Sequence, residues 1–354
     1  MVATFNVELT RKGPGLLLRD LLAGTDPQAE AATAVIAAAA PDVLVLTGID
    51  YDHGLAALSA LAGRIALQGV EYPHRLALRP NTGWMTPLDL DGDGRLGGPG
   101  DAQGWGRFAG EGGMAILSRL PLEAGAVEDY SRFLWADLPG ALLPPDMTPE
   151  AMALQRLSTT GHWAVPVILP GGGRLTLLVW HATPPVFDGP EDRNGRRNHD
   201  EAAFWTALLD GRLPFAPPAP PFVLLGDGNL DPADGEGRRE AIHALLADPG
   251  CRTPPPGLKA GSRRRGRAAS MPGTVAIRRW IRLTGPMNPA SPATCGWIWC
   301  CLPVACKCWG RACSGRRWAR RWPRRCVPLR GTGWSGCGWS CLKAGAPPRA
   351  AAGH

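Results

Sequence analysis

The last acidic residue of this 354-residue chain is Asp248, and the first of its ten cysteines is Cys251. Residues 1–250 hold 18 Lys/Arg against all 31 Asp/Glu, a balance of −13. Residues 251–354 hold 20 Lys/Arg and no acid, a balance of +20. The overall charge of +7 therefore averages two unlike parts. The first part has to fold without a disulfide or a cysteine-bound metal. It is long enough for one large α/β domain, and its acidity argues against a tight non-specific grip on nucleic acid. No apolar run reaches the roughly 18 residues that a membrane span needs. The chain opens almost directly on a strand-like run, without the basic start and apolar core of a signal peptide. A cytoplasmic location is expected as the chain is written, and a periplasmic or secreted one if an upstream signal was omitted. A monomer is expected.

The first 250 residues alternate strand and helix signals. Val2–Val7, Val43–Leu46, Met114–Leu117, Trp163–Leu169, Leu175–Trp180 and Phe222–Leu225 read as strands. Several are unbroken apolar runs, as in strands buried on both faces. Thr25-Asp26-Pro27 caps a helix through Ala40, with a polar cap and proline in the first turn. Further helices are expected at Leu55–Leu67, Asn198–Leu209 and Arg238–Ala247, and Gly83–Gly110 reads as a long loop.

Polar residues punctuate the strand ends, where α/β folds place their sites. Leu224-Leu225 runs into Gly226-Asp227-Gly228-Asn229, a carboxylate and a carboxamide two residues apart between glycines. This is either an Asx turn or a group that handles water, metal or phosphate. His181 closes a second apolar run; a lone His is more often a carbonyl-bonded structural residue. Asn6 and Glu8 share one side of the first strand, which ordinary polar alternation would also give.

Together these segments resemble the endonuclease/exonuclease/phosphatase superfamily. Thr4-Phe5-Asn6-Val7 resembles its opening strand, and Gly113-Met114-Ala115-Ile116-Leu117-Ser118-Arg119 its central strand. Trp180-His181-Ala182-Thr183-Pro184 resembles its His-ending strand, and Gly226-Asp227-Gly228-Asn229 its Gly-Asp-x-Asn turn. The resemblance covers about residues 2–248. It implies a four-layer α/β sandwich of two mixed sheets flanked by helices, with phosphoester hydrolysis assisted by Mg²⁺ or Mn²⁺. By the same resemblance Asn6 helps bind the metal, Asp227 positions the attacking water, Asn229 contacts phosphate and His181 stabilises or protonates the phosphoryl group. The substrate could be DNA, a lipid head group or a small phosphoester. The family's metal-binding Glu is replaced by Gly48, with Asp50 or Glu8 as substitutes.

Two further segments carry expectations. Asp89, Asp91 and Asp93, followed by Asp101, resemble a calcium loop, with oxygen ligands at alternate positions; a solvated acidic loop is the alternative. Arg193, Arg197 and Asn198 precede the expected helix, where arginines at a helix N-terminus suit phosphate; a solvated basic turn is the alternative.

Residues 251–354 show neither helix nor strand periodicity and consist of the residues that G/C-rich codons give off-frame. With suitably chosen, mostly G/C-rich codons, Thr294–Pro303 read one base earlier gives NLRVDLVLP, and the stretch near Arg330–Ser340 gives ARHRLVWVRVEL. These strings hold the Arg-x-Asp strand and the Arg-His turn that the family carries late in its chain. The expectation is therefore a domain over 1–250 truncated of its last strands, followed by an unstructured, out-of-frame tail, and impaired activity. The rivals are a catalytically dead relic, or a cation-binding module with a basic nucleic-acid-binding tail. The tail cysteines lack zinc spacing, since Cys306 and Cys308 are separated by a single residue and no Cys-x-x-Cys occurs.

Overall fold

In the computed structural model, residues 1–234, 236–248 and 296–298 are described. The apolar runs become strands. β1 (Val2–Leu9), β2 (Val43–Ile49), β3 (His74–Leu76) and β4 (Gly113–Ser118) form one sheet in the order β1-β2-β4-β3. β5 (Glu128–Asp129), β6 (Gly161–Ile168), β7 (Arg174–His181), β8 (Phe222–Asp227) and β9 (Gly296–Ile298) form the second, in chain order. Both are mixed: β1 runs parallel to β2 and β7 parallel to β8, whereas β2–β4 and β6–β7 are antiparallel.

The period-two rule explains the layers. Val43 and Val45 face the other sheet, where they meet Trp163, Val165, Val179 and Leu225. The alternate residues Leu44 and Leu46 face outward into a core made with α1 (Leu16–Ala23), α2 (Pro27–Ala39) and α3 (Ala56–Ala66). On the far side, Leu178 and Leu224 pack with Phe204, Trp205 and Leu208 of α5 (Arg193–Leu209) and with Ile242 and Leu245 of α6 (Glu240–Ala247). A short helix, α4 (Pro149–Met152), lies in the connection before β6. Helix, sheet, sheet, helix is the expected four-layer sandwich.

Asp26 caps α2 as read, its side chain accepting from the Ala29 amide. Four elements, α1, α4, β3 and β5, fall outside the sequence expectations. α1 follows Gly15, whose φ of 76° starts the helix without a side-chain cap, so no sequence signal announces it. β3 and β5 are three and two residues long, too short for a periodicity. α5 begins at Arg193, five residues before the expected start, because its polar opening turns carry no apolar stripe. The expected unstructured tail lies outside the described residues except at Gly296–Ile298, which pairs in parallel with Phe222–Leu224.

Candidate active site

β7 and β8 run parallel and end together, His181 opposite Asp227. β1 of the other sheet brings Asn6 to the same end, and its Nδ2 donates to Asp227 Oδ2 at 2.8 Å. The turn after β8 depends on glycine: Gly226 has φ 145°, and a Cβ there would collide with the Trp180 carbonyl of the neighbouring strand. That close approach seats Asp227 beside β7. Asn229, at φ 49°, donates its backbone N–H to Asp227 Oδ1 at 3.0 Å and its side-chain amide to the Ala182 carbonyl at 2.8 Å. Four of the expected site residues thus converge from three strands.

Asp227 is 1% exposed. Burial pushes its carboxyl above the usual range, against the pull of His181, the Asn229 amide and Asn6. Burial also holds His181 below the ordinary histidine value, against the attraction of Asp227. His181 Nδ1 is buried with no hydrogen-bond partner. Burial thus disfavours the charged form of both partners, the imidazolium and the carboxylate, while their mutual attraction opposes it.

The metal candidates divide. Asn6 is at the site. Asp50 directly follows β2, and its oxygens accept two amides, Oδ1 that of Gly112 at 3.0 Å and Oδ2 that of Arg11 at 2.8 Å. Burial, opposed by those two amides and reinforced by nearby Glu111, raises its pKa to about 6. Glu8 is exposed and adopts φ 52°, where the register between β1 and β2 slips. Gly48 has φ 66°, and a Cβ on it would lie 2.6 Å from Asn6 Oδ1. The donors in direct contact at the strand ends are the Asn6 side-chain amide and the Asp227 carboxylate. Mg²⁺ keeps several waters and takes one or two carboxylates plus substrate phosphate, so this sparse set fits such an ion.

The arginines expected to bind phosphate face elsewhere. Arg197 is turned inward and donates to the carbonyls of Leu157, Gln103 and Arg156 at 2.9, 2.6 and 2.8 Å. Arg193 donates to the Leu90 carbonyl and, at 2.5 Å, to Gln155 Oε1. Both act as braces, because long irregular loops leave carbonyls that need donors. Asn198 is buried and clamps the site from behind, donating to the carbonyls of Thr183 at 2.6 Å and Gly228 at 2.9 Å. Glu201, one turn on, accepts from the amides of Thr159 at 2.6 Å and Thr183 at 2.7 Å. Its part was not foreseen: a Glu inside a helix carries no signal that it is buried.

In the acidic loop, oxygens of Asp89, Asp91 and Asp101 lie within 4.8 Å of one another, and Asp93 stands outside the group. Both Asp101 oxygens accept backbone amides, from Leu90 and Gly98, each at 2.9 Å. Burial and then the neighbouring carboxylates raise the Asp91 pKa.

The sequence profile of the Endonuclease/Exonuclease/phosphatase family matches residues 3–326. Comparison with curated proteins finds no matching relative. Among solved structures, the chain is similar to an endonuclease/exonuclease/phosphatase from Beutenbergia cavernae, with 20% identity and a TM-score of 0.40, over 70% of this chain and 52% of that one. It is also similar to sphingomyelinase C from Streptomyces griseocarneus, with 18% identity and a TM-score of 0.37, over 71% and 72%. A third is beta toxin from Staphylococcus aureus with bound magnesium ions, with 13% identity and a TM-score of 0.39, over 71% and 72%. The chain spans about half the length of the first of these, 52%. With the profile running across most of its length, the chain belongs to the endonuclease/exonuclease/phosphatase family.

Proposed function

We propose that the chain is built as a divalent-metal-dependent phosphodiester hydrolase, with Asn6, His181, Asp227 and Asn229 as its working residues. The observation that carries this reading is the Asn6–Asp227 bond of 2.8 Å, which joins the two sheets at a desolvated carboxylate facing His181. A carboxylate kept 1% exposed is costly unless its position matters, and it accepts just enough donors to stay in place.

Asp227 positions the attacking water, whose hydrogen bond its carboxylate accepts; the base that would remove the proton is the late His that this reading frame lacks, so the proton passes to bulk water. Water attacks phosphorus in line, and the ester P–O bond breaks with its electrons leaving on the departing oxygen. His181, held neutral by burial, can donate one N–H to a phosphoryl oxygen as charge develops there. Asn229 uses one amide hydrogen on Ala182, which leaves the second for phosphate. Asn6 Oδ1 and Asp227 would hold Mg²⁺ or Mn²⁺, which when bound neutralises phosphate charge and acidifies water.

The same reading implies a handicap. Residues 251–354 carry no acid and a single histidine, His354, so the late Asp and His that the resemblance calls for are missing from this reading frame. The chain as written is an impaired hydrolase. The alternative of a cation-binding module rests on the proximity of Asp89, Asp91 and Asp101 alone.

The test is hydrolysis of bis-nitrophenyl phosphate with Mg²⁺ or Mn²⁺ and with a chelator. Turnover that needs the ion and falls about 10²-fold or more in Asp227→Asn is expected. Turnover indifferent to both would overturn the reading.

A further inference from the structure

Three guanidinium groups gather on one indole. Arg79 Cζ lies 3.7 Å from the Trp84 ring centroid, Arg156 Cζ 4.2 Å and Arg132 Cζ 5.9 Å. Arg79 and Arg132 are exposed, and Trp84 and Arg156 half-buried. Among the described residues no carboxylate comes within ion-pair distance of any of the three. Surface arginines are usually dispersed or paired with acids, because like charges at such separations repel. The attraction of the indole face offsets part of that repulsion.

The gathering is built. Buried Asn81 donates through Nδ2 to the carbonyls of Ser131 and Ser158, both at 2.7 Å. Its Oδ1 accepts from Arg156 Nη1 at 2.7 Å. Its backbone carbonyl accepts from the Trp84 amide at 3.0 Å, and its own amide donates to the Thr160 carbonyl at 3.0 Å. One side chain thus ties together the segments that carry Arg79 and Trp84, Arg132, and Arg156. Burial, then the charges of Arg132 and Arg79, lower the Arg156 pKa, while Asp129 pulls the other way. The three charges are held near one another before any ligand arrives.

The place is the catalytic end. Gly161 opens β6 opposite His181, and Thr160, just before it, holds Asn81. Two of the guanidiniums lie within 4.2 Å of the half-buried Trp84 ring centroid, so the indole is already engaged as a cation platform. What the cluster lacks is an anion with several acceptor oxygens, which planar guanidinium forks suit.

We propose that Arg79, Arg132 and Arg156 on Trp84 form a subsite for a second phosphate of the substrate, so that substrates bearing two or more phosphates bind better than those bearing one. The proposal rests on the phosphodiesterase reading for the scissile phosphate, but its test does not require turnover. Calorimetric titration of the full chain compares a thymidine dinucleotide with and without a terminal phosphate, and inositol bisphosphate with inositol monophosphate. The expected gain from the added phosphate is roughly tenfold in affinity, in whichever pair matches the spacing between the sites. That pair then identifies the source as nucleotide or inositol ester. The gain should vanish in Arg79→Ala/Arg132→Ala and shrink in each single variant, with thermal melting checking that the variants fold. The basic residues after 250 are common to all variants, so a gain persisting in the double variant assigns the phosphate elsewhere and overturns the proposal. No gain in either pair overturns it as well. Absence of hydrolysis with the gain intact counts against the hydrolase reading and leaves the anion subsite standing.

Discussion

Asn6 and Asp227 are 221 residues apart in sequence, yet the Asn6 side-chain amide donates to the Asp227 carboxylate at 2.8 Å. The bond links the first strand of one sheet to the last long strand of the other. Replacing Asn6 with Ala leaves a buried carboxylate with one donor fewer, at a cost of about 1–3 kcal/mol. The Asp227 pKa should rise further, since a donor that favours the anion is gone. The acidic limb of the rate profile is expected to move to higher pH in Asn6→Ala. A limb that stays in place would mean that Asn6 does not touch the working form of Asp227.

Asn198 should matter to rate through the two loops it holds together. It bridges the carbonyls of Thr183 and Gly228, and so fixes the loop after His181 against the turn after Asp227. In Asn198→Ala the two loops lose their common donor, and kcat is expected to fall about 10-fold or more, because small misplacements are costly. KM should change little. A fall in melting temperature with unchanged kcat would show a merely structural role.

Glu201 and His162 set opposing pH dependences of stability. Burial raises the Glu201 pKa to about 7, although Arg197 and the Thr159 and Thr183 amides favour the anion. Its folded pKa lies above the unfolded one, so its contribution is full below about 4.5 and lost as pH rises to about 7. Burial lowers the His162 pKa to about 4, so its contribution is full above about 6.5 and lost as pH falls to about 4. The two slopes offset each other in the parent protein. Melting temperature should fall with rising pH across this window in His162→Gln, and rise with pH in Glu201→Gln. Parallel profiles in both variants would exclude the opposition.

Much of this site is legible in the sequence because strands end where polarity begins. Asn6, His181 and Asp227 each follow or interrupt an apolar run, and the fold brings such ends together. The supports were not legible. Asn81 sits in a Pro-Asn-Thr-Gly stretch that reads as an ordinary turn, yet it is fully buried and joins three loops. Arg197 looks like a surface cation and is spent on backbone carbonyls. Which way a polar helix residue faces depends on loops dozens of residues away, and no local pattern encodes that.

Gly48 offers a sharper test of the metal reading. Restoring the family's carboxylate by Gly48→Glu looks like a repair, but the residue has φ 66° and its Cβ would sit 2.6 Å from Asn6 Oδ1. The substitution is expected to displace Asn6 and lower activity several-fold rather than raise it. A gain in Mg²⁺-dependent rate would show that the backbone relaxes to accept the ligand.

Shifting the frame at Cys251 is expected to raise bis-nitrophenyl phosphate hydrolysis by about 10²–10⁴-fold, the usual worth of a general base. Equal rates for the two chains would remove the handicap from the functional reading.

The three-residue pairing of β9 with β8 bears on where the gene should be cut for expression. A fragment ending at residue 250 looks natural from composition, but it discards Gly296–Ile298 and bares the amides and carbonyls of Phe222–Leu224 along the sheet margin. Such a margin invites another molecule's strand. The shorter fragment should therefore self-associate as its concentration rises, and Asp227, at the end of that same strand, would sit at the seam of the aggregate.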